Sequence, residues 1–186
     1  MEKMYMSKIS SNLLLEQPVQ IFEQFIDKRD CQSYRFAKIG TQTWMVDNLA
    51  FEITPGSKIY RDDTANLTKY GRLYDFETAK KACPSGWHLP SMDEWSVLIN
   101  LFDSPNNEDL KAKSSNGIDT LGFAALLGGR SDSNGKFCDV GKGGYWWSSD
   151  ESKCFGYIRG MFYDTNDLYW ELGDKSNFYS VRCVQD

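Results

Sequence analysis

Tyrosine, tryptophan and arginine are interleaved with acidic and amide side chains near the end of the chain, a mixture typical of recognition surfaces. Tyrosine and tryptophan offer a large contact area at low entropic cost, and asparagine and aspartate offer adaptable hydrogen bonds. The candidate ligand-binding residues are Tyr157, Arg159, Tyr163, Asp164, Asn166, Tyr169, Trp170, Glu171 and Asn177. Because side chains alternate along a strand, we expect Tyr157, Arg159 and Tyr163 to share an exposed face. The competing interpretation is that half of these rings face the interior.

Oxygen-bearing side chains cluster at residues 164–167 (DTND), and two further acidic residues follow at Glu171 and Asp174. Calcium prefers ligands of this type. The same residue types also form the turns that connect strands. We favour the turn, so the sequence predicts neither a metal nor any other cofactor.

Catalysis by a nucleophile and a histidine has few components to use in this chain. His88 is the single histidine, and it lies between Trp87 and Leu89. In an alternating strand its ring would be buried and would bond a neighbouring backbone group. No residue pattern directs a serine or cysteine nucleophile at His88. The sequence therefore predicts a non-catalytic protein in which His88 has a structural role.

Five cysteines are present, at positions 31, 83, 138, 154 and 183, and none forms a CxxC pair. With one histidine and no local cysteine spacing, a zinc site is not predicted. The cysteines can form disulfides or stay as free thiols. Because their number is odd, at least one is unpaired in a monomer.

The composition is that of one globular domain with a large aromatic content. The 186 residues include 11 Phe, 10 Tyr and 6 Trp, so much of the core must pack ring against ring. The net charge is −5 and no basic run occurs, which argues against a nucleic-acid partner. No segment has the roughly 20 apolar residues of a membrane span, and residues 1–10 lack the apolar core of a secretory signal.

The spacing of apolar residues predicts three helices in the first part of the chain. Residues 16–29 are predicted to form an amphipathic helix, which could dock on a partner or a second copy. Residues 74–82 are predicted to form a helix that ends before the proline at position 84. Ser91 and Glu94 have the spacing of a capping box at the start of a third helix. Its apolar stripe consists of Trp95, Leu98, Ile99 and Phe102.

Strand patterns occur before and after these helices. A hairpin is predicted from residues 34–40 and 41–46, turning around Gly40, whereas residues 48–69 are predicted to be mostly loop. The remaining predicted strands are residues 123–127, 145–148, 155–163, 168–172 and 179–184. Helices followed by strands predict an α+β fold with helices packed on one side of an antiparallel sheet.

Several short phrases of the sequence carry a family resemblance. They are residues 39–45 (IGTQTWM), 47–49 (DNL), 83–90 (CPSGWHLP), 94–95 (EW), 145–149 (YWWSS) and 180–184 (SVRCV). In this order they resemble the Fibrobacter succinogenes major paralogous domain, over roughly residues 36–186. The resemblance implies a C-type-lectin-like fold of the formylglycine-generating-enzyme branch, with small twisted antiparallel sheets, two flanking helices and long loops. We therefore expect an N-terminal extension, residues 1–33, and a lectin-like domain, residues 34–186.

The resemblance also implies a disulfide and a location. Lectin-like domains commonly join a cysteine after the first helix to one in the last strand, which makes Cys83 and Cys183 the expected pair. A weaker second pair is Cys138 with Cys154, and the alternative is that all five cysteines are reduced and buried. Family members are mostly envelope, secreted or adhesin-like bacterial proteins. A cell-surface or secreted location is therefore expected, although no signal peptide is recognisable.

The expected function is that of an adhesin-like or receptor-like module, which recognises a glycan or a protein through its aromatic-rich C-terminal surface. One alternative is a receptor diversified by a retroelement, because such variable proteins place randomised Tyr, Asn, Asp and Ser positions near the C-terminus of this fold. Another is a metal-dependent oxidase like the fold's enzymes, although the close cysteine pair that holds their metal does not occur in the sequence. The calcium motifs of sugar-binding C-type lectins do not occur either.

Overall fold

The computed structural model of the chain describes residues 22–101, 110–112, 119, 122–165 and 168–186. Its strands are β1 (Glu23–Ile26), β2 (Ser33–Ile39), β3 (Gln42–Met45), β4 (Ser57–Lys58), β5 (Leu73–Tyr74), β6 (Trp87–His88), β7 (Arg130–Ser131), β8 (Phe137–Cys138), β9 (Gly143–Ser152), β10 (Phe155–Phe162), β11 (Leu168–Asp174), β12 (Tyr179–Ser180) and β13 (Val184–Gln185). Its helices are α1 (Thr64–Tyr70), α2 (Phe76–Ala79) and α3 (Met92–Ile99), with a 3-10 turn at Tyr60–Asp62. None of the helices described is long and apolar enough to cross a membrane.

Three sheets organise these elements and confirm the predicted α+β class. One has five strands in the order β1-β2-β3-β13-β6, and another has six in the order β11-β10-β9-β12-β5-β4. A short β7-β8 pair is separate. β12 pairs with β9 in parallel, whereas β10 pairs antiparallel with both of its neighbours, β9 and β11. Because only residues 181–183 separate β12 from β13, the last residues of the chain join the two larger sheets.

Arg182 lies in that joining segment, is completely buried and connects several parts of the core. Its Nε and Nη2 donate to Asn48 Oδ1 at 3.2 and 2.9 Å, and its Nη1 donates to the carbonyl oxygen of Phe123. The same Asn48 oxygen accepts a bond of 2.9 Å from Trp146 Nε1. Burial lowers the pKa of Arg182 to about 9, so the guanidinium stays charged near neutral pH.

Adjacent tryptophans on β9 divide the aromatic core into two clusters. Successive side chains of a strand point to opposite faces, and Trp146 and Trp147 accordingly belong to different clusters. The Trp147 ring contacts those of Phe76 and Tyr179, at centroid distances of 5.1 and 4.6 Å. The Trp146 ring lies 6.4 Å from that of Trp95, which α3 contributes. The six-stranded sheet is therefore covered on both faces at β9. The prediction that the helices pack on one side of the sheet is wrong, because Phe76 of α2 lies on one face and Trp95 of α3 on the other.

The helix predicted over residues 16–29 is wrong from Glu23 onward. The chain there forms β1, which pairs antiparallel with β2. The Phe25 ring stacks on those of Tyr34 and Trp87, at centroid distances of 5.7 and 4.9 Å. Strand pairing and ring stacking outweigh the helical spacing, because tertiary contacts routinely override local propensity. Residues 16–21 lie outside the described residues.

The hairpin and the capped helix agree with the sequence predictions. β2 and β3 pair antiparallel, and Gly40 adopts the positive φ of 61° that the turn between them requires. At the start of α3 the Ser91 hydroxyl accepts from the Glu94 amide at 3.2 Å. The Glu94 carboxylate accepts from the Ser91 amide at 2.8 Å. The helix ends at Ile99, and Phe102 lies outside the described residues.

The four aromatic strands predicted near the C-terminus are confirmed as β9 to β12, and β13 follows them. Two other segments differ from their predictions. The supposed loop over residues 48–69 contains β4 and most of α1. No residue of α1 is buried, so it lacks the apolar stripe by which a helix is recognised in sequence. The strand predicted over residues 123–127 is instead an irregular buried segment, in which Ala125 makes an isolated bridge with Lys111.

The expected disulfide joins Cys83 and Cys183, whose Cα atoms are 6.0 Å apart. α2 is shorter than the helix predicted over residues 74–82, and it ends before Cys83 as expected. Cys31, Cys138 and Cys154 are free, so the second pairing, of Cys138 with Cys154, is wrong. The single bridge holds the end of the chain beside the segment that follows α2.

Candidate functional site

Strands β10 and β11 bring part of the predicted ligand-binding set onto one face of the six-stranded sheet. In their antiparallel register Arg159 lies opposite Trp170, and Tyr157 lies opposite Leu172. Residues that face each other across a strand pair project to the same side. Residues two apart along one strand do so as well. We call the surface formed by Tyr157, Arg159, Trp170 and Leu172 the β10–β11 face.

Two apolar side chains of the β10–β11 face are exposed to solvent. Trp170 is 56% exposed and Leu172 is 44% exposed, and both belong to β11, the edge strand of its sheet. The half-buried Tyr157 ring contacts the Trp170 ring, at a centroid distance of 5.6 Å. Adjacent exposed apolar side chains on an edge strand are typical of an interaction site.

Arg159 forms the buried part of the β10–β11 face. It is 7% exposed, and in register it lies between Trp146 of β9 and Trp170 of β11. Its Nη2 donates to the Ser96 hydroxyl of α3 over a long distance of 3.4 Å. Its buried Nε has no hydrogen-bond partner among the residues described. Burial lowers the pKa of this guanidinium. The face therefore combines an exposed indole with an enclosed positive charge.

Tyr169 and Glu171 project from the opposite side of β11, because they alternate with Trp170. The Tyr169 ring stacks on that of Phe162, at a centroid distance of 5.7 Å. Burial raises the pKa of Tyr169 to about 12, so its phenol stays protonated. These two predicted site residues do not contribute to the β10–β11 face. For Tyr169 the competing interpretation, a ring that faces the interior, is the better description.

Three predicted residues follow the end of β10. Tyr163 and Asp164 are exposed in a turn, and Lys111 Nζ donates to the carbonyl oxygens of Tyr163 and Thr165 at 3.4 and 3.1 Å. Asn166 lies outside the described residues. Within the described ranges, no three His, Cys, Asp or Glu side chains are grouped as a metal site requires.

Asn177 is separate from the other predicted residues. It lies in the turn between β11 and β12, where its Oδ1 accepts from the Ser133 amide at 3.2 Å. Together with Arg130, Lys136 and Cys138 it lines a pocket of about 220 Å³. The structure thus gathers Tyr157, Arg159 and Trp170 of the predicted set and disperses the rest. Leu172 also belongs to the face, but the sequence prediction did not include it, because the candidate residues were chosen among polar and aromatic types.

His88 is half-exposed and bonds two carboxylates, so the prediction of a buried ring with a backbone partner is wrong. Its Nε2 lies 2.7 Å from Glu94 Oε1, and its Nδ1 lies 2.7 Å from Asp186 Oδ1. Burial lowers the His88 pKa, but the hydrogen bonds to Asp186 and Glu94 raise it overall. The Ser91 hydroxyl donates to Glu94 Oε2 at 3.0 Å. His88 therefore connects Asp186 to the start of α3.

A groove of about 510 Å³ lies between the β1–β2 turn, the loop after β3 and α1. Two of its acidic residues are paired, Asp47 with Arg35 at 2.6 Å and Glu52 with Arg72 at 2.8 Å. None of the residues that line it belongs to the β10–β11 face. The sequence carried no signal for this groove, because nearly half of its lining comes from residues 48–69, which were predicted to be mostly loop.

One comparison with known proteins is informative. A family model described as the Fibrobacter succinogenes major domain matches residues 37–185. The match begins within β2 and includes all later strands, and therefore the entire β10–β11 face. A search of curated proteins and a search of solved structures each found no match.

Proposed function

Since the chain belongs to the Fibrobacter succinogenes major domain family, we propose that it is a non-catalytic module that binds a glycan or a protein through the β10–β11 face. The proposal includes a C-type-lectin-like arrangement of its sheets and helices. The bridge between Cys83 and Cys183 supports this arrangement, because lectin-like domains commonly close in this way. The bridge also supports a cell-surface or secreted location, because disulfides persist in oxidising compartments.

The observation that carries the proposed function is the exposure of Trp170. Of the six tryptophans in the chain, four are completely buried and Trp87 is half-buried. Trp170 differs from all of them in being 56% exposed. The exposed part of this indole contributes no burial energy to the fold, whereas a ligand that covered it would gain that energy.

The neighbours of Trp170 have the properties expected around a ligand anchor. Tyr157 packs against its ring and limits its orientations, and Leu172 extends the apolar surface along the same strand. Arg159 adds a charged group beside them. Binding sites commonly combine an apolar surface with a small number of polar groups that orient the ligand.

The test is a glycan and protein array probed with the wild-type chain and with Trp170→Ala. We expect the substitution to weaken binding of the wild-type ligand by about tenfold or more, as for a central aromatic anchor. Ile26→Ala is the matched control, because Ile26 is 65% exposed but lies on the edge of the other large sheet. Binding that survives Trp170→Ala, or that depends equally on Ile26, would contradict the proposed site.

A further inference from the structure

Among the described residues, Arg159 differs from the other buried or half-buried arginines in having no carboxylate beside it and no acceptor closer than 3.4 Å. The arginines with a carboxylate oxygen between 2.6 and 3.3 Å away are Arg29, Arg35, Arg72 and Arg130. Arg182 bonds a side-chain amide and a backbone carbonyl oxygen. For Arg159 the one acceptor among the described residues is the Ser96 hydroxyl at 3.4 Å, and Nε has none.

Such a guanidinium is costly for the fold. Removing a charge from water is unfavourable unless it is paired or fully hydrogen-bonded. An apolar side chain of similar length would occupy the same position between Trp146 and Trp170 without that cost. The fold therefore leaves an enclosed guanidinium without enough hydrogen-bond acceptors, next to an exposed ring. A negatively charged ligand group would complete it.

We propose that the β10–β11 face binds a carboxylate-bearing sugar, with the carboxylate on the Arg159 guanidinium and the sugar ring on the Trp170 indole. This inference rests on the proposed function and names the ligand class of the same site. Carboxylates suit arginine because the planar guanidinium can donate two parallel hydrogen bonds to the two carboxylate oxygens. The apolar C–H face of a sugar ring suits an exposed indole because both are flat and partly apolar.

The spacing of the two groups fits one sugar residue. Arg159 and Trp170 are directly opposed across an antiparallel pair, in which Cβ atoms are about 5 Å apart. A pyranose ring has a similar width, so a ring on the indole carries its carboxylate toward the arginine. The Ser96 contact at 3.4 Å is long enough for a carboxylate oxygen to compete for the same Nη2. The Tyr157 ring contacts the Trp170 ring at a tilt of 46°, and the indole remains 56% exposed and open to stacking.

An acidic peptide is the rival ligand, and the geometry favours it less. A peptide that joined the sheet would pair with the free backbone edge of β11. That mode depends on main-chain hydrogen bonds and does not require the enclosed Arg159. A sugar carboxylate accounts for both unusual features of the face, the exposed indole and the incomplete guanidinium.

The experiment measures binding of the full chain to polygalacturonate, alginate and hyaluronan, each beside its methyl-esterified form. Esterification keeps the sugar and removes the charge. We expect at least one of the acidic polymers to bind about tenfold or more tightly than its ester. Measurements at about 0.15 M salt limit non-specific attraction. The net charge of the chain, −5, works against general binding of polyanions, so a preference for the acid must come from a local site.

Three variants assign that preference to residues. Arg159→Met should abolish the preference for the acid over the ester, and Arg159→Lys should reduce it because the two-pronged donor is lost. Trp170→Ala should weaken binding of both forms. Arg61→Met is the matched control, since Arg61 is an exposed arginine outside the face, and it should change nothing. Thermal unfolding of each variant verifies that the fold persists, and the Lys variant remains informative if the Met variant does not fold.

The possible results separate this inference from the proposed function. If Trp170→Ala abolishes binding of a neutral array ligand and Arg159→Met does not, the face binds but the carboxylate assignment is overturned. The assignment is also overturned if no acidic polymer is preferred to its ester, or if an acidic peptide alone requires Arg159. If no ligand depends on Trp170, the proposed function fails as well.

Discussion

Two buried arginines, Arg182 and Arg159, are treated very differently by the same fold. Arg182 is completely buried and is bonded by Asn48 and by the carbonyl oxygen of Phe123. Arg159 is 7% exposed and has the Ser96 hydroxyl at 3.4 Å as its acceptor within the described residues. The Arg182 guanidinium also lies 4.2 Å from the centre of the Phe123 ring.

The two arginines mark two kinds of region: one in which the fold satisfies the hydrogen bonding of a buried guanidinium, and one in which it does not. Around Arg182 the two large sheets meet, and Asn48 and Phe123, which both lie in irregular segments, supply its acceptors. Around Arg159 the sheet ends at β11, and α3 supplies one weak bond. A buried charge with a full set of hydrogen bonds stabilises the fold, whereas one with unused donors can accept a ligand as its partner.

The largest expected effect comes from removing the bridge beside Arg182. The double variant Cys83→Ser/Cys183→Ser opens a link between residues 100 positions apart in sequence. In the chain-entropy description it should lower the free energy of unfolding by about 4–5 kcal/mol. Guanidinium chloride unfolding under oxidising conditions measures the loss, and reduced wild-type protein should match the variant. Equal stability of the variant and the oxidised wild type would contradict this.

A slightly smaller effect is expected from Asn48→Leu. The substitution removes the oxygen that accepts from Arg182 and from Trp146, and so leaves a buried guanidinium poorly satisfied. We expect a loss of about 3–4 kcal/mol in the free energy of unfolding. Asn66→Leu is the control, because the side chain of half-buried Asn66 makes one hydrogen bond, to the carbonyl oxygen of Tyr60. This substitution should cost about 1 kcal/mol. Similar losses for both would show that Arg182 does not depend on Asn48.

His88 should give a smaller, pH-dependent effect at the edge of the five-stranded sheet. The pKa of His88 is raised in the folded state. Its ion pairs with Glu94 and Asp186 therefore stabilise the fold fully at a pH below the unfolded-state pKa of about 6.5. This contribution is lost as pH rises through the folded pKa. Because the side chain is half-exposed, we expect at most about 1 kcal/mol.

Titration of Glu94 determines the pH below which the stabilisation by the His88–Glu94 ion pair is lost. Burial raises the pKa of Glu94, but hydrogen bonds from Ser91 and His88 lower it overall. Its contribution is therefore present above its unfolded pKa of about 4.3 and is lost as pH falls through the folded value. Denaturant midpoints of the wild type should decrease from pH 6 to pH 9, relative to those of His88→Gln. Parallel profiles for the two proteins would contradict the role given to His88.

The smallest effect on stability is expected for Trp170→Ala, despite the size of the side chain removed. More than half of Trp170 is exposed, and its aromatic contact is with the half-buried Tyr157. We expect the free energy of unfolding to change by less than about 1 kcal/mol. Thermal unfolding measures the change. A loss of the size typical of a buried tryptophan, about 3–5 kcal/mol, would place Trp170 in the core and not on a binding surface.

The features that sequence analysis predicted correctly depend on local signals or on the family resemblance. The capping box of Ser91 and Glu94 and the turn at Gly40 are determined by residues a few positions apart. The strands β9 to β11 follow from runs of aromatic and β-branched residues. The bridge between Cys83 and Cys183 came from the resemblance, since five cysteines alone allow several pairings.

The features that were missed depend on tertiary placement. Phe25 has helical spacing to its neighbours but is fixed in a strand by the rings of Tyr34 and Trp87. Strand alternation predicted the shared side of Tyr157 and Arg159, but the burial of Arg159 depends on α3 lying over the sheet. The acceptors of His88 lie in α3 and at Asp186, outside its own strand.

The most direct test of the difference between the two regions is the stability of Arg182→Met beside that of Arg159→Met. Both substitutions keep an apolar stem and remove a buried charge. Arg182→Met should lower the free energy of unfolding by about 2–3 kcal/mol, because buried acceptors lose their donor. Arg159→Met should leave it unchanged within about 0.5 kcal/mol or raise it, because no described partner is abandoned except Ser96. Equal losses in denaturant unfolding would show that the fold needs both charges and would contradict the account.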